Sequence, residues 1–392
     1  MTLPFPVCYR IAMDAAQQIR SITPFLVMDV MERANALAAQ GREVIHLEVG
    51  EPDFDTPECI RTAACKAMGN ARTHYTDSLG IIELRDAISR HYLKTYGVKI
   101  DPDQVLVTAG SSPALLTAIA CLVDPGDEII LTDPYYACYP NFIRILGAIP
   151  KLIRTGSDDA FQLNPRKLKG EMNGRTRAVV INSPANPTGI CLDDAHMREI
   201  SSIGLPIISD EIYHGLVYAG EQHTILEYTD NAIVINGFSK AYAMTGWRLG
   251  WAVFPKNLIR TAQKIQQNLM ICAPSVAQWA GIAALTEAAD DVETMRLTFS
   301  RRRLAMLEEM ADKGFTVDVE PTGAFYVLAN MTHLTNDSYR FAMDILDNTG
   351  VGVTPGIDFG PGAEGYLRFS YANSEENIRE GISRVARYID AL

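Results

Sequence analysis

The most informative stretch of this chain is residues 233–250, which read IVINGFSKAYAMTGWRLG. Its first three residues form a short run of β-branched side chains, which predicts a buried strand. Lys240 follows soon after that run, and Arg248 lies eight residues further on. A lysine brought out of a buried strand can lose its proton and attack a carbonyl group, and an arginine can hold a phosphate. The stretch therefore predicts a site for an aldehyde that also carries a phosphate, although a lysine is more often an ordinary surface charge.

Short β-rich runs alternate with helical segments from about residue 100 to 255. The runs are residues 105–108, 128–132, 178–182 and 206–209. This alternation predicts an α/β fold in which a mostly parallel sheet is covered by helices on both faces. Polar residues follow several of the runs directly, among them Ser111, Asn182 and Asp210. Because sites in open α/β sheets form at the carboxyl ends of the strands, we expect these side chains to share one site.

The pattern changes after residue 254, where long helices and then short strands predict a second, α+β domain. The helices are expected at roughly 256–269, 275–287 and 290–313, and the strands near 323–328, 351–353 and 366–370. A final helix is predicted to begin near Asn373, with Glu376 three residues later as its reciprocal cap. A further amphipathic helix is predicted over residues 23–40.

The charge balance argues against a nucleic-acid partner. The 392 residues carry a formal net charge of −12, and the pI is near 5.1. Binding to nucleic acid requires clustered lysine and arginine. The dense basic run Arg301-Arg302-Arg303 is better explained as a solvated helix face.

Apolar stretches and cysteines predict a cytoplasmic protein that does not cross a membrane. The longest apolar stretch, roughly 113–123, is shorter than the about 18 residues that a membrane span needs. The start of the chain lacks the basic region of a secretory signal. The seven cysteines include no Cys-x-x-Cys pair and are odd in number, which favours reduced thiols over disulfides. Neither a metal nor a disulfide is needed for a chain of this length to form its core.

Residues 237–250 resemble the segment around the Schiff-base lysine of the class I/II pyridoxal-phosphate-dependent aminotransferases, the fold type I, aspartate aminotransferase-like enzymes. The resemblance runs from about residue 20 to the C-terminus. It implies a large domain, 49–288, that binds pyridoxal 5′-phosphate on Lys240, and a small domain formed by 1–48 and 289–392. It also implies a homodimer with shared active sites.

At the phosphate end, the resemblance implies that Gly110, Ser111 and Ser112 surround the cofactor phosphate. Pro113 suits the first position of the helix that follows. The free N–H groups and dipole of a helix N-terminus favour an anion, although a serine cap without a ligand gives the same pattern. Arg248 supplies the balancing charge as a two-pronged donor.

Three further residues at this end follow from the same resemblance. Tyr75 resembles the tyrosine that family members lend across a dimer interface to the neighbour's phosphate, although an exposed loop aromatic is the alternative. Gly237 stands where many relatives carry a serine or threonine, so one hydroxyl contact is missing. Ser239 is the candidate to replace it.

At the ring end, the resemblance implies that Asp210 faces the pyridine nitrogen and keeps it protonated. Tyr213 and Asn186 match the positions that hydrogen-bond the ring's phenolic oxygen, and Tyr136 matches the aromatic residue that stacks on the ring. Asp210 would otherwise serve to cap a following helix, and Asn186 also fits an ordinary turn. We expect the neighbouring tyrosines 135 and 139 to be core or wall residues.

At the substrate end, the resemblance implies that Arg368 grips the α-carboxylate through two parallel hydrogen bonds, with Gly50 and Asn186 beside it. The alternative for Arg368 is an exposed edge-strand arginine. Relatives that prefer dicarboxylates sometimes carry a basic residue where Ser112 stands, so aspartate, alanine and aromatic or aliphatic donors all stay open. The expected acceptor is 2-oxoglutarate, and Ile22 and Phe25 are candidate wall residues.

The resemblance thus implies a ping-pong transamination in which Lys240 holds the cofactor as a Schiff base and then acts as general base. Tyr213 and Asp210 would assist it. A C–S β-lyase or a decarboxylase would use the same fold and the same lysine. A non-enzymatic ligand-binding regulator would need a DNA-reading module, for which the enzyme fold leaves no room, and a purely structural protein would not gather so many polar groups at strand ends.

Overall fold

The chain folds into three β-sheets with helices packed around them, and the computed structural model describes residues 13–392 except for the side chains of Gln17 and Gln18. Residues 1–12, which contain Cys8 and the start of the predicted small domain, lie outside this description. The helices are α1 (Leu26–Ala39), α2 (Glu58–Gly69), α3 (Ile82–Tyr96), α4 (Ser111–Ala120), α5 (Tyr139–Ile145), α6 (Pro165–Glu171), α7 (Asp194–Ser202), α8 (Ile259–Leu269), α9 (Ser275–Glu287), α10 (Ala289–Asp312), α11 (Ser338–Thr349) and α12 (Glu375–Ile389). The strands are β1 (Ile45–His46), β2 (Val105–Thr108), β3 (Glu128–Asp133), β4 (Ile149–Arg154), β5 (Thr176–Asn182), β6 (Ile207–Asp210), β7 (Ala232–Gly237), β8 (Gly250–Val253), β9 (Tyr326–Asn330), β10 (Val351–Gly352), β11 (Thr354–Pro355) and β12 (Tyr366–Ser370).

The largest sheet has seven strands in the order β2-β8-β7-β6-β5-β3-β4. Strand β8 runs antiparallel to both of its neighbours, and the other pairs are parallel. Alternate residues of β7 pack to opposite faces. Val234 joins an apolar cluster with α2, α3 and α9, while Ile233 and Ile235 join another with α4, α5 and α8. The α/β class, with helices on both faces of a mostly parallel sheet, is confirmed.

A second apolar cluster joins the two ends of the chain. Strands β11, β12 and β9 form an antiparallel sheet, and β1 pairs in parallel with β10. Ile45 and Leu47 pack in the same cluster as Ile378 and Ile382 of α12. We retain the division into 49–288 and 1–48 with 289–392 as a proposal, because this cluster brings the N-terminal and C-terminal segments together.

Two predicted helices begin a few residues later than expected, α1 because a distant carboxylate holds its first turn and α12 because Ser374, and not Asn373, is its cap. Helix α1 begins at Leu26 rather than near residue 23, since the N–H groups of Leu26 and Val27 donate to the Asp358 carboxylate at 2.9 and 3.2 Å. Helix α12 is capped by Ser374, whose Oγ accepts from the Asn377 N–H at 3.1 Å. The predicted cap residue Asn373 is instead held by the carbonyl of His46, to which its Nδ2 donates at 3.0 Å.

The other boundaries shift by a few residues. Helix α4 begins at Ser111, so Pro113 occupies its third position and not its first. The helix expected from 256 begins at Ile259, after a turn. The strand expected near 323–328 runs from Tyr326 to Asn330. Within residues 13–392, no helix is both long and apolar enough to cross a membrane.

Candidate active site

A cavity of about 410 Å³ opens at the carboxyl ends of β5, β6 and β7 and is closed from the other side by α1 and β12. Most of the predicted site residues line it together: Gly50, Ser111, Ser112, Tyr136, Asn186, Asp210, Tyr213, Ser239, Lys240, Arg248 and Arg368. Phe25, one of the two candidate wall residues, also lines it, whereas Ile22 does not. Tyr75 lies outside this lining, with 79% of its surface exposed.

Lys240 lies in the part-buried turn that follows β7, where its ammonium group meets little water. Its Nζ donates to the carbonyl of Gly50 at 2.5 Å and lies 5.8 Å from the ring centroids of Tyr213 and Phe325. Burial lowers the pKa of Lys240 from 10.5 to about 8, and the positive charges of Arg368 and Arg248 act in the same direction. A substantial fraction of the amine is therefore uncharged just above neutral pH, as a nucleophile or base requires.

At one end of the cavity, the N-terminus of α4 meets the guanidinium group of Arg248. Gly110 precedes the helix with φ of 98°, and a Cβ at this position would lie 2.6 Å from the Arg248 guanidinium. Glycine is thus needed both for the backbone conformation and for the close approach. Arg248 itself is exposed, has φ of 52°, and donates to the Thr245 carbonyl at 2.8 Å. The free side of its guanidinium and the first N–H groups of α4 make this end suited to an anion.

Close packing around position 237 favours glycine there. A Cβ there would lie 3.1 Å from Ile212 Cδ1 and 3.2 Å from the Cα of Gly250 on the neighbouring strand. A larger side chain would therefore require Ile212 and the Gly250 backbone to shift by a few tenths of an ångström. Ser239 is the serine close to this position in the chain that lines the cavity.

In the middle of the cavity, the buried carboxylate of Asp210 ends β6. Its Oδ2 accepts from the Tyr139 hydroxyl at 2.7 Å and its Oδ1 from the Ile212 N–H at 3.2 Å. Burial raises the pKa of Asp210 from 3.8 to about 6, against the effect of these hydrogen bonds and of the Lys240 charge. Asp210 begins no helix, because a turn follows it, and a positively charged partner in the cavity would favour its ionised form.

Tyr139 therefore does more than the wall role predicted for it. Its hydroxyl fixes one oxygen of Asp210, and its ring lies 5.3 Å, edge to face, from the ring of Tyr136. Tyr136 in turn meets Phe25 at 6.2 Å. The sequence signal was the Tyr-rich run 135–139, but its periodicity does not tell which hydroxyl reaches a carboxylate.

Tyr326 was not singled out from the sequence beyond its place in a strand. Its hydroxyl lies 2.8 Å from that of Tyr213, and its ring lies under Arg368, 4.2 Å from the guanidinium carbon. A Cβ on Gly50 would lie 2.7 Å from the same hydroxyl, so this glycine also permits a close approach. The position of Tyr326 on β9, next to β12, is what places it beside Arg368.

At the far end of the cavity, Arg368 is 3% exposed and lies in the middle of β12. Its guanidinium donates to Asn186 Oδ1 at 2.9 Å, to the Glu48 carbonyl at 2.6 Å and to Thr354 Oγ1 at 2.9 Å. Its Nε has no hydrogen-bond partner among the described residues. These contacts hold the guanidinium rigidly at the cavity wall, and the predicted alternative of an exposed edge-strand arginine is wrong.

Comparison with known proteins places the chain in one family. The model of the family "Aminotransferase class I and II" matches residues 42–385. The chain is 40% identical over 380 residues to (5-formylfuran-3-yl)methyl phosphate transaminase of Methanocaldococcus jannaschii, which covers 96% of this chain and 99% of that protein. It is 35% identical over 382 residues to the aspartate/prephenate aminotransferase of Thermus thermophilus, covering 95% of this chain and 98% of that protein.

A solved structure agrees with these sequence matches. The aspartate aminotransferase of Thermus thermophilus with maleate superposes with a TM-score of 0.92, at 35% identity, over 96% of this chain and 100% of that one. The chain belongs to the aminotransferase class I and II family. It is a transaminase that depends on pyridoxal 5′-phosphate and acts on amino acids and 2-oxo acids.

Proposed function

We propose that this transaminase carries the amino group of an L-amino acid to a 2-oxo acid by a ping-pong reaction in the cavity described above, with Lys240 as the attachment point of the cofactor. The observation that carries the proposal is the arrangement of three groups in that one cavity: a lysine of lowered pKa, an anion site at one end and a rigid arginine at the other. When bound, pyridoxal phosphate supplies an aldehyde for the amino group and a ring that can accept the electron pair released at the substrate Cα.

The residues at the Arg248 end would hold the cofactor phosphate. Gly110, Ser111 and Ser112 offer backbone N–H groups and hydroxyls at the N-terminus of α4, and Ser239 lies nearby on the cavity wall. Arg248 supplies the balancing charge on its free side. The match between a dianion and a cation at a helix N-terminus supports this assignment.

The residues at the centre would hold the ring. Asp210 would form an ion pair with the protonated ring nitrogen, which would favour the ionised carboxylate that burial otherwise disfavours. Tyr213 and Asn186 would donate to the ring's phenolic oxygen, and Tyr136 would stack on the ring. Tyr139 would hold Asp210 in place through its hydroxyl.

The substrate α-carboxylate would bind Arg368, beside Gly50 and Asn186. A guanidinium that is held at three acceptors cannot rotate freely, so it would orient the substrate as well as attract it. With the carboxylate fixed, the Cα–H bond would be directed towards Lys240. The amine of Lys240 would then be placed to take up the Cα proton and later release it, which is the general-base role.

The test is Lys240→Ala, with Lys264→Ala, an exposed lysine on α8, as the control. We expect Lys240→Ala to lose transaminase turnover by at least about 1,000-fold, because both the attachment point and the base are removed. Borohydride reduction of the holoenzyme followed by peptide mass analysis should label Lys240 in the parent and in the control. A Lys240→Ala variant that still transaminates near the parental rate, or a label on another lysine, would refute the assignment.

Two further expectations belong to the same proposal. We propose a homodimer in which the exposed ring of Tyr75 reaches the phosphate end of the neighbouring subunit's cavity, which would account for an aromatic side chain that is 79% exposed in the single chain. The cytoplasmic location stays a prediction, supported by the free thiols of the described cysteines.

A further inference from the structure

The charges around the cavity bear on which side chain a substrate can carry. Within the described residues, the lysine and arginine side chains that line it are Lys240, Arg248 and Arg368. In the function proposed above, these three serve the cofactor aldehyde, the cofactor phosphate and the substrate α-carboxylate. A second carboxylate on the substrate would find no further cation in the part of the lining that the described residues of this chain supply, and an unpaired charge in a part-buried site is costly.

A glutamate in the same lining makes a second carboxylate still less favourable. Glu51 accepts a hydrogen bond from the hydroxyl of Thr245. A carboxylate in the cavity lining repels a dicarboxylate substrate and has no such effect on a substrate with an uncharged side chain.

Helix α1 supplies an apolar wall at the mouth of the cavity. Phe25 and three residues of α1, namely Val27, Met28 and Met31, line it. The carboxylate of Asp358 holds the first N–H groups of this helix, so the wall has a fixed position. Met28 keeps 41% of its surface exposed. Methionine adapts its shape to apolar partners of different outline, which suits a wall that must accept a flexible substrate side chain.

We propose, on the basis of the function above, that the preferred donor is an L-amino acid with a large uncharged apolar side chain, which contacts Met28 and Met31.

The test is a panel of single half-reactions with the holoenzyme. The visible absorbance of the enzyme is followed after mixing with L-methionine, L-leucine, L-phenylalanine, L-alanine, L-aspartate or L-glutamate, one at a time. We expect the second-order rate constant for methionine, leucine or phenylalanine to exceed that for aspartate and glutamate by at least about 10-fold.

The outcomes separate this inference from the function on which it rests. A preference for aspartate or glutamate as donor would overturn the inference and leave the transaminase reaction intact. If no amino acid converts a holoenzyme in which borohydride still labels Lys240, the proposed reaction itself falls, and the inference falls with it.

Two variants at one position test the role of the α1 wall. Met28→Ala should lower the rate ratio of methionine to alanine by about 10-fold, because the methionine side chain loses an apolar partner. Met28→Arg should raise the ratio of aspartate to methionine, because it adds a cation to the lining. Leu297→Ala, which truncates an exposed leucine on α10 outside the cavity, is the control and should leave both ratios unchanged. Unchanged ratios in both Met28 variants would remove α1 from substrate selection.

Discussion

Asp210 imposes a cost on the cofactor-free fold that can be measured. Burial raises the pKa of this carboxyl from 3.8 to about 6, so the native state disfavours its charged form. Below pH 3.8 the carboxyl is protonated in both the folded and the unfolded protein, so its burial costs no stability. As the pH rises from 3.8 through about 6, ionisation is easier in the unfolded chain, and the folded protein loses stability. Above about pH 6 the full pKa difference between the two states lowers the free energy of unfolding, by about 3 kcal/mol at about 1.36 kcal/mol per pKa unit.

Asp210→Asn should therefore stabilise the cofactor-free protein at pH 7. The asparagine Oδ1 can still accept from the Ile212 N–H, and its Nδ2 can donate to the Tyr139 oxygen, so the hydrogen bonds are kept while the charge is removed. We expect the free energy of unfolding to rise by about 2–3 kcal/mol at pH 7 and by about half of that at pH 5, since protonation already removes part of the cost there. Urea unfolding of the cofactor-free parent and variant at both pH values measures this difference.

Asp230→Asn is the matched control, because Asp230 is exposed and its substitution should change stability by less than about 0.5 kcal/mol. A cofactor-free Asp210→Asn protein that is no more stable than its parent at pH 7 would refute the reasoning. So would a gain of the same size at pH 5 and pH 7, because a gain caused by the removed charge must shrink as the parent carboxyl becomes protonated.

Two other substitutions test the site and the packing behind it. Arg368→Lys should lower kcat/KM for the best donor by about 100-fold in steady-state assays. The reason is that a lysine cannot make two parallel hydrogen bonds to a carboxylate while also bonding Asn186 and Thr354. A loss smaller than about 3-fold would contradict the role assigned to Arg368. Glu211→Ala should destabilise the protein by about 2–4 kcal/mol in thermal or urea unfolding. The buried Glu211 Oε1 accepts from Ser209 Oγ, Thr224 Oγ1 and the Ile225 N–H, and these donors would lose their partner. An unchanged unfolding midpoint would contradict this prediction and show that water replaces the carboxyl group.

Five strands of the central sheet, β2, β3, β5, β6 and β7, could be predicted from local sequence, because each is a short, largely buried run rich in apolar residues. Strand β4, which is only partly buried, and β8 were not predicted. The run from Val105 to Thr108 is a strand with the predicted bounds, and the strand at 207–210 begins one residue later than predicted and ends at Asp210. Parallel topology then brings the carboxyl ends of strands together. That is why Asp210, Asn186 and Lys240, far apart in the chain, line one cavity as expected.

The pattern of apolar residues could not predict that β8 runs antiparallel to its neighbours. The run Gly250–Val253 is as apolar as its neighbours, and nothing in its periodicity tells its direction. Its pairing with β2 and β7 sets that direction. The start of α1 was missed for a related reason, since the Asp358 carboxylate that holds its first turn lies near the other end of the chain.

The amino-acid sequence by itself determined the fold class and the strand ends that carry the polar residues, because these depend on residue type and on short-range periodicity. Residue type also indicated the pair Lys240 and Arg248, whereas Arg368 was assigned to the site through the resemblance of its segment to the aminotransferase family. Tertiary structure decided which hydroxyl meets which charge. Tyr139 reaches Asp210, and Tyr326 joins Tyr213 and lies under Arg368. Such contacts join elements that are distant in the chain, and a single buried tyrosine looks the same in sequence whether its hydroxyl meets a carboxylate or another tyrosine.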